Sequence, residues 1–462
     1  MPEENGNRDL LDQPAHVIAA AVRTGATTAR EVAEMAIARV LARNAALNAI
    51  VDFDPAEARR EADRVDARRH DDFAGPLLGV PFTVKDKIWV AGRRVTNGSL
   101  LSKDFIPPRD ALAVERLRAA GGVFLGMTNT PEFASKGHTD NKVYGLTRHP
   151  QNPALTPGGS SGGAAAALGA GFAPVALGTD GGGSGRRPAA HVGAVGLKPS
   201  AGAIPAPFGF EGFFSPTIEV LSPMGRCVAD VRLMFEAMAG PDARDPVSAA
   251  VLDSHPPVRP RIAYSPRLGL GVAVDPDVRD AVDGAVERLR TAGWVIDAAD
   301  VAWPQGVHAQ AFDAITLSAA AQLHGERWQS DSSVFSDNIQ AQIKAGLNVT
   351  GADVSAATLL ADRVARAVAA FFVDHDYLLT PTTACVAWPV EQDFPPVIEG
   401  EPAGPRGHAA FTPLFNQALV PAISLHCGTG RDGLPVGLQI VAPRGHDRAL
   451  LEMAARAERV LA

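Results

Sequence analysis

Three observations predict an α/β fold in which one sheet is covered by helices. The first is a recurrent helix-to-strand alternation. Helical spacing over Asp110 to Ala120 precedes the apolar run Val123 to Met127, and the pattern returns at Val228–Ala239 with Arg261–Tyr264 and at Pro276–Ala292 with Trp294–Ile296. The second is composition: 46% apolar and 20% charged residues over 462 positions supply ample core for a soluble globular chain. The third is continuity. A chain this long would divide into roughly three domains by length alone, yet neither an internal repeat nor a linker interrupts it, so residues 1–462 read as one domain.

Taken in order, residues 1–70 read as a helical scaffold. Thr28-Ala29-Arg30-Glu31 is a capping box, with Val32, Ala36, Val40 and Leu41 as the apolar stripe behind it. Asp54-Pro55 starts a second, charged helix running to about Arg69. A catalytic core is expected over 75–200, opening with the strand Leu78 to Lys85. Val80, Phe82 and Val84 share one face of that strand, Thr83 and Lys85 the other, and Pro81 marks a sheet edge or the start of pairing. Further on, a helix over Ala164 to Ala170 and a strand over Val175 to Leu177 separate two glycine clusters. Residues 205–216 form an aromatic, glycine-rich loop. Helices over Val307–Ala321 and Asp353–Asp374 precede the strand Tyr377–Thr380. The stretch 382–416 is proline-rich and irregular, too long for a plain connector. Strands Ala422–Leu425 and Val436–Val441 then lead into a closing helix, His446–Val460.

Composition also excludes classes of function. A net charge of −8 without a basic patch argues against nucleic acid. Cys227, Cys385 and Cys427 are odd in number and widely spaced, as reduced core thiols are. The N-terminus has no apolar signal core and no run is long enough to span a bilayer, so a cytoplasmic protein without a membrane partner is expected. There is no HExxH motif or CxxC pair, the 12 histidines are scattered, and no phosphate-binding glycine motif is complete. No metal or other cofactor is expected.

The chemistry concentrates between Pro157 and Pro199. Gly158-Gly159-Ser160-Ser161-Gly162-Gly163 and Gly181-Gly182-Gly183-Ser184-Gly185 each set serine among glycines, where main-chain N–H groups can converge on a developing oxyanion. These strings, with the later GAVGLKP, the upstream GVPFTVKD and the downstream GLPVGLQIV, resemble the amidase signature family over most of the chain. The resemblance implies a twisted mixed sheet surrounded by helices and a hydrolase acting on carbon–nitrogen bonds other than peptide bonds. It implies Ser184 as nucleophile and Ser160, on a cis peptide, as proton relay. Lys85 becomes the base, although Lys87 and Lys198 compete on spacing alone. Gly181, Gly182, Gly183 and Ser184 would supply the oxyanion donors, with Ser161, Asp180 and Arg186 in support. Two positions depart from the family: Gly181 stands where a larger residue such as Thr is usual, and Gly185 where Ile is usual.

A lysine acts as base only when neutral, which requires burial. Arg187 could reach substrate, but a solvated arginine is the expectation. Aromatic residues of the two irregular stretches, Phe208, Phe210, Phe213, Phe214, Trp388 and Phe411, are expected to wall a hydrophobic pocket widened by Gly181 and Gly185. The expected activity is hydrolysis of hydrophobic amides, anilides or aryl carbamates by a monomer or homodimer. Malonamate should be a poor substrate, since no arginine is clearly placed to hold its carboxylate. Two alternatives stand beside this: an esterase whose Ser-His-Asp triad draws on His375 or His446, and a component of a multiprotein amidotransferase. The latter typically carries Gln where Arg187 stands.

Overall fold

Strands scattered over nearly the whole chain assemble into a single mixed sheet of eleven, enclosed by helices. The computed structural model describes residues 9–70, 75–209, 218–308, 310–430 and 432–462. The N-terminal scaffold holds α1 (Ala15–Thr24), which the sequence pattern did not reveal, α2 (Ala29–Leu47) and α3 (Pro55–Ala67). Both halves of the Thr28/Glu31 capping box are formed at the start of α2. Its buried side comprises Val32, Ala33, Ala36, Ile37 and Val40. Leu41 is not part of it. One residue on from Val40 is a rotation of about 100°, and Leu41 is 65% exposed.

The strands are β1 (Ile50–Asp52), β2 (Pro81–Lys85), β3 (Val123–Thr128), β4 (Val175–Asp180), β5 (Val195–Lys198), β6 (Val220–Gly225), β7 (Ile262–Tyr264), β8 (Ile296–Ala298) and β9 (Tyr377–Pro381). A small separate hairpin, β10 (Val397–Ile398) and β11 (Glu401–Pro402), precedes β12 (Ala422–Thr429) and β13 (Pro435–Val441). The sheet order is β1-β3-β2-β4-β6-β5-β12-β13-β9-β7-β8. β2 lies between β3 and β4 and is parallel to both, so it is a central strand. Pro81 therefore marks the start of pairing, where a missing N–H costs least, and not an edge. Every residue of β2 and β4 is buried.

Helices α4 (Leu112–Ala119), α5 (Gly162–Gly169), α6 (Arg186–Val192), α7 (Val228–Met238) and α8 (Pro276–Thr291) alternate with these strands. They are followed by α9 (Asp313–Ser330), α10 (Asp337–Gly346), α11 (Gly351–Asp374), α12 (Pro413–Gln417) and α13 (Asp447–Leu461). The helix expected over Val307–Ala321 begins later and runs to Ser330, and α10 follows it unannounced. β5 and β6 are buried on both faces, which removes the polar–apolar alternation that would have announced them. Among the described residues no helix is long and apolar enough to cross a membrane. Of the expected pocket aromatics, Phe210, Phe213 and Phe214 lie outside the described residues.

Candidate active site

β2 and β4 run side by side in the same direction, with Val84 level with Leu177; β2 ends at Lys85 and β4 runs about two residues further, to Asp180. The carboxyl ends of parallel strands are where α/β sheets open into a crevice. β2 thus delivers its lysine beside the glycine loop that begins at Gly181. Lys85 Nζ lies 2.7 Å from Ser160 Oγ, 3.1 Å from Ser161 Oγ and 2.9 Å from Thr179 Oγ1. No described carboxylate touches it. Burial pushes this lysine far below its ordinary value, and nearby Lys87 adds to the effect against the pull of Glu219 and Asp180. The rival lysines are engaged elsewhere. Lys87 is ion-paired with Glu219 at 2.7 Å, while Lys198 donates to the Pro199 carbonyl. Thr179, the third hydroxyl on Lys85, was not singled out from the sequence, although strand alternation on β4 could have found it.

The Gly159–Ser160 peptide is cis. Ser161 N–H donates to the Ser184 carbonyl at 3.2 Å, tying the two glycine clusters together. Ser184 is nearly buried, and its hydroxyl makes no hydrogen bond to another described residue. Gly183, with φ +110°, turns its N–H inward onto Asp180 Oδ1 at 2.7 Å. That donor is already engaged, which removes it from the expected oxyanion set. The N–H groups of Gly181, Gly182 and Ser184 have no described partner and stay available.

Asp180 and Arg186 form a fully buried ion pair of two 2.9 Å contacts. Burial raises the Asp180 carboxyl, but Arg186 and Asn416 outweigh it and hold the group below the usual carboxylate range. Arg186 is completed by Gln439 Oε1 at 2.7 Å and Asn416 Oδ1 at 2.6 Å. Thr412 Oγ1 donates to the Gly182 carbonyl at 2.8 Å. The residues that clamp the loop thus come from α12, its N-cap and β13, more than 220 positions away; Gln439 lies in the GLPVGLQIV string, but nothing in the local pattern showed that it holds this loop.

The amidase family model matches residues 31–451. The chain belongs to the amidase signature family. It is accordingly an amide hydrolase. An acylamidase of Rhodococcus erythropolis is 37% identical over 96% of this chain and 94% of its own length. A glutamyl-tRNA(Gln) amidotransferase component of Symbiobacterium thermophilum is 34% identical over 93% of each chain. The crystal structure of a bacterial aryl acylamidase of the same family superposes with a TM-score of 0.88 at 29% identity, covering 97% of this chain and 96% of that one.

Within this family frame, three expectations change. Gly185 does not open space beside the nucleophile loop. A Cβ there would collide with Ser222 Oγ, which is buried and donates to the Leu197 carbonyl at 2.7 Å. The room vacated at 185 is taken up at 222. Arg187 is not solvated: it is 2% exposed, with Nε and Nη1 unpaired. The groove beside the loop is also lined differently. Gly181 and Gly182 share it with Ile218, Phe312, Ile315 and Pro413, along with the polar Asp313, Thr316, Arg406 and Gln417. Among the proposed aromatic wall, Phe208 lies beneath the Arg109 guanidinium, 3.7 Å from the ring centre. Trp388 packs between His191 and His408, and Phe411 is wholly buried in the main core. Phe312, at the start of α9, is the aromatic on the groove, and the sequence reading passed it over.

The histidines of the alternative triad are occupied locally. His375 Nδ1 meets the Phe371 carbonyl and His446 Nδ1 the Arg444 carbonyl.

Proposed function

We propose that this amide hydrolase is a serine acylamidase of apolar and aryl amides, with Ser184 as nucleophile, Ser160 as relay and Lys85 as base. The observation that carries the reading is the buried, carboxylate-free Lys85 Nζ at 2.7 Å from Ser160 Oγ. Proton bookkeeping supports the direction of the relay. Ser161 Oγ is 3.2 Å from the Thr179 carbonyl and donates its proton there, so toward Lys85 it can only accept. A neutral lysine has two N–H donors and one lone pair. With Ser161 and Thr179 each accepting one N–H, the lone pair faces the Ser160 hydroxyl. Ser160 Oγ is then free to take the proton of Ser184 as it passes its own to Lys85.

Ser184 Oγ attacks the carbonyl carbon, and the oxyanion is received by the N–H groups of Gly181, Gly182 and Ser184. When the carbon–nitrogen bond breaks, the proton returns from Lys85 through Ser160 to the departing nitrogen. Water, deprotonated along the same path, releases the acyl group. An arylamine leaves more readily than an alkylamine, and Ile218, Phe312, Ile315 and Pro413 offer apolar surface beside the loop. Aryl carbamates present the same carbon–nitrogen bond and belong to the proposed range.

The test is a hydrolysis panel on the purified chain: 4-nitroacetanilide, a longer-chain anilide, an aryl carbamate and a nitrophenyl ester. The anilides should be cleaved, the longer chain better. Activity confined to the ester would overturn the amidase reading of the site. The amidotransferase relative favours a second reading, a component that acts only within a complex; turnover by the chain alone decides against it.

A further inference from the structure

Lys87 and Glu219 form an ion pair that the hydrolytic relay does not use. Both carboxylate oxygens of Glu219 accept from Lys87 Nζ, at 2.7 and 2.8 Å, and the two side chains are 1% and 4% exposed. A buried pair often repays no more than its own desolvation, and apolar residues of like volume can hold a fold as well. Stability is therefore a poor reason for it, and its place in the sheet supplies a better one.

β4 lies between β2 and β6. Lys87 stands two residues past the end of β2, and Glu219 one residue before β6, whose Val220 is level with Asp180. The pair thus spans the end of β4, beside the point where Lys85 and the glycine loop meet. Its two ends are not equivalent toward Lys85. Lys87 follows on the same strand end, its N–H donating to the Lys85 carbonyl at 2.6 Å. Glu219 enters from two strands away, about 10 Å between strand axes. The positive end is the nearer one.

The other ionisable groups around the base are Asp86, Asp180, Arg186 and Arg187. Asp86 is engaged by Thr96, whose N–H it accepts at 2.7 Å, and Asp180 and Arg186 neutralise each other. Arg187 repels Lys85 less than Lys87 does. Lys85 Nζ itself touches only hydroxyls, so no contacting charge fixes its protonation. Repulsion by Lys87 exceeds the pull of Glu219 and acts in the same direction as burial. One ammonium disfavours a second beside it.

We propose that Lys87 is a positioning residue of the relay: its ammonium, held by Glu219 over the end of β4, keeps Lys85 unprotonated and ready to accept the Ser160 proton. Glu219 in turn keeps Lys87 charged, which an isolated buried lysine would not remain. This rests on the reading of Lys85 as base and extends it.

The test compares wild type, Lys87→Arg and the double variant Lys87→Gln/Glu219→Gln. The double variant removes both charges, strands neither, and leaves amides that can bond to one another. kcat/KM for 4-nitroacetanilide is followed from pH 5 to pH 10; a midpoint does not depend on how much of a variant folds. In the double variant the midpoint of the rising limb should move up by about one pH unit, so that activity below both midpoints falls about tenfold against its own plateau. Lys87→Arg keeps the charge and should keep the midpoint. Lys85 is also read without turnover, from the carbon-13 resonance of its ε-carbon in Ser184→Ala, assigned by its loss in Lys85→Met. Adding the double substitution should raise that titration by the same amount. A plateau that changes while neither midpoint moves is what a purely structural pair would give, and it overturns the proposal. So does Lys87→Arg shifted as far as the double variant. A moved resonance with an unmoved kinetic limb would refute Lys85 as the base and leave the coupling between the lysines standing. An unmoved resonance would refute the coupling itself.

Discussion

At the scale of single residues, Lys85 has to be neutral to work and is buried to stay so. Its folded-state value is below the ordinary 10.5, so between the two the unfolded chain binds the proton more readily. The lysine's contribution to stability is therefore complete above pH 10.5 and is lost as pH falls toward the folded value. Relative to Lys85→Met, the wild type should gain stability between pH 7 and 10, by up to about 1.4 kcal/mol per pH unit. Denaturant unfolding at several pH values measures this; a constant difference would mean that Lys85 remains protonated. On the kinetic side, kcat/KM should rise with pH through that same low lysine value and then level off. A decline from pH 6 to pH 9 on stable enzyme would speak against a lysine base. Ser184→Ala, Lys85→Ala and Ser160→Ala should each remove most turnover, and the double variants should lose little more, because the three act as one relay. His375→Ala and His446→Ala should retain activity; the reverse pattern would restore the histidine triad.

At the scale of elements, the turn from β4 into α6 is held by groups from distant strands and helices. Arg186→Met leaves Asp180 as a buried, uncompensated charge and should cost about 3–5 kcal/mol, read as a lowered denaturant midpoint with activity lost alongside. The size exchange between Gly185 and Ser222 makes a sharper prediction. Gly185→Ile alone should overpack the β6 contact and cost about 1–3 kcal/mol. Adding Ser222→Gly should recover most of that loss, giving a coupling well outside additivity. Simple addition of the two effects would show that the sites do not share the space. The capping box of α2 was legible because its chemistry is local, Thr28 and Glu31 bonding to one another three positions apart. The loop clamp was not: Gln439 lies within the GLPVGLQIV string, but the role that it, Thr412 and Asn416 play shows only once α12 and β13 are folded against the loop.

At the scale of the whole molecule, the purified chain should hydrolyse an anilide without a partner protein, and size-exclusion chromatography with an activity assay checks it. Activity that appeared only in a complex would favour the amidotransferase reading. The α/β class, the enclosing helices and the lysine and serines of the candidate site could be named from the chain alone. The fold class rests on local periodicity and the serines on glycine density, while Lys85 is chosen over Lys87 and Lys198 only by the family resemblance of short ordered strings. What only the tertiary structure decided is environment. It placed β2 inside the sheet and not at an edge, packed Leu41 outward, turned Gly183 N–H away from the oxyanion, filled the space at Gly185 with Ser222 and buried Arg187 without a counter-ion. Each of these depends on residues tens to hundreds of positions apart coming within a few ångströms. Burial and pairing are properties of such contacts, so no single stretch of sequence carries them.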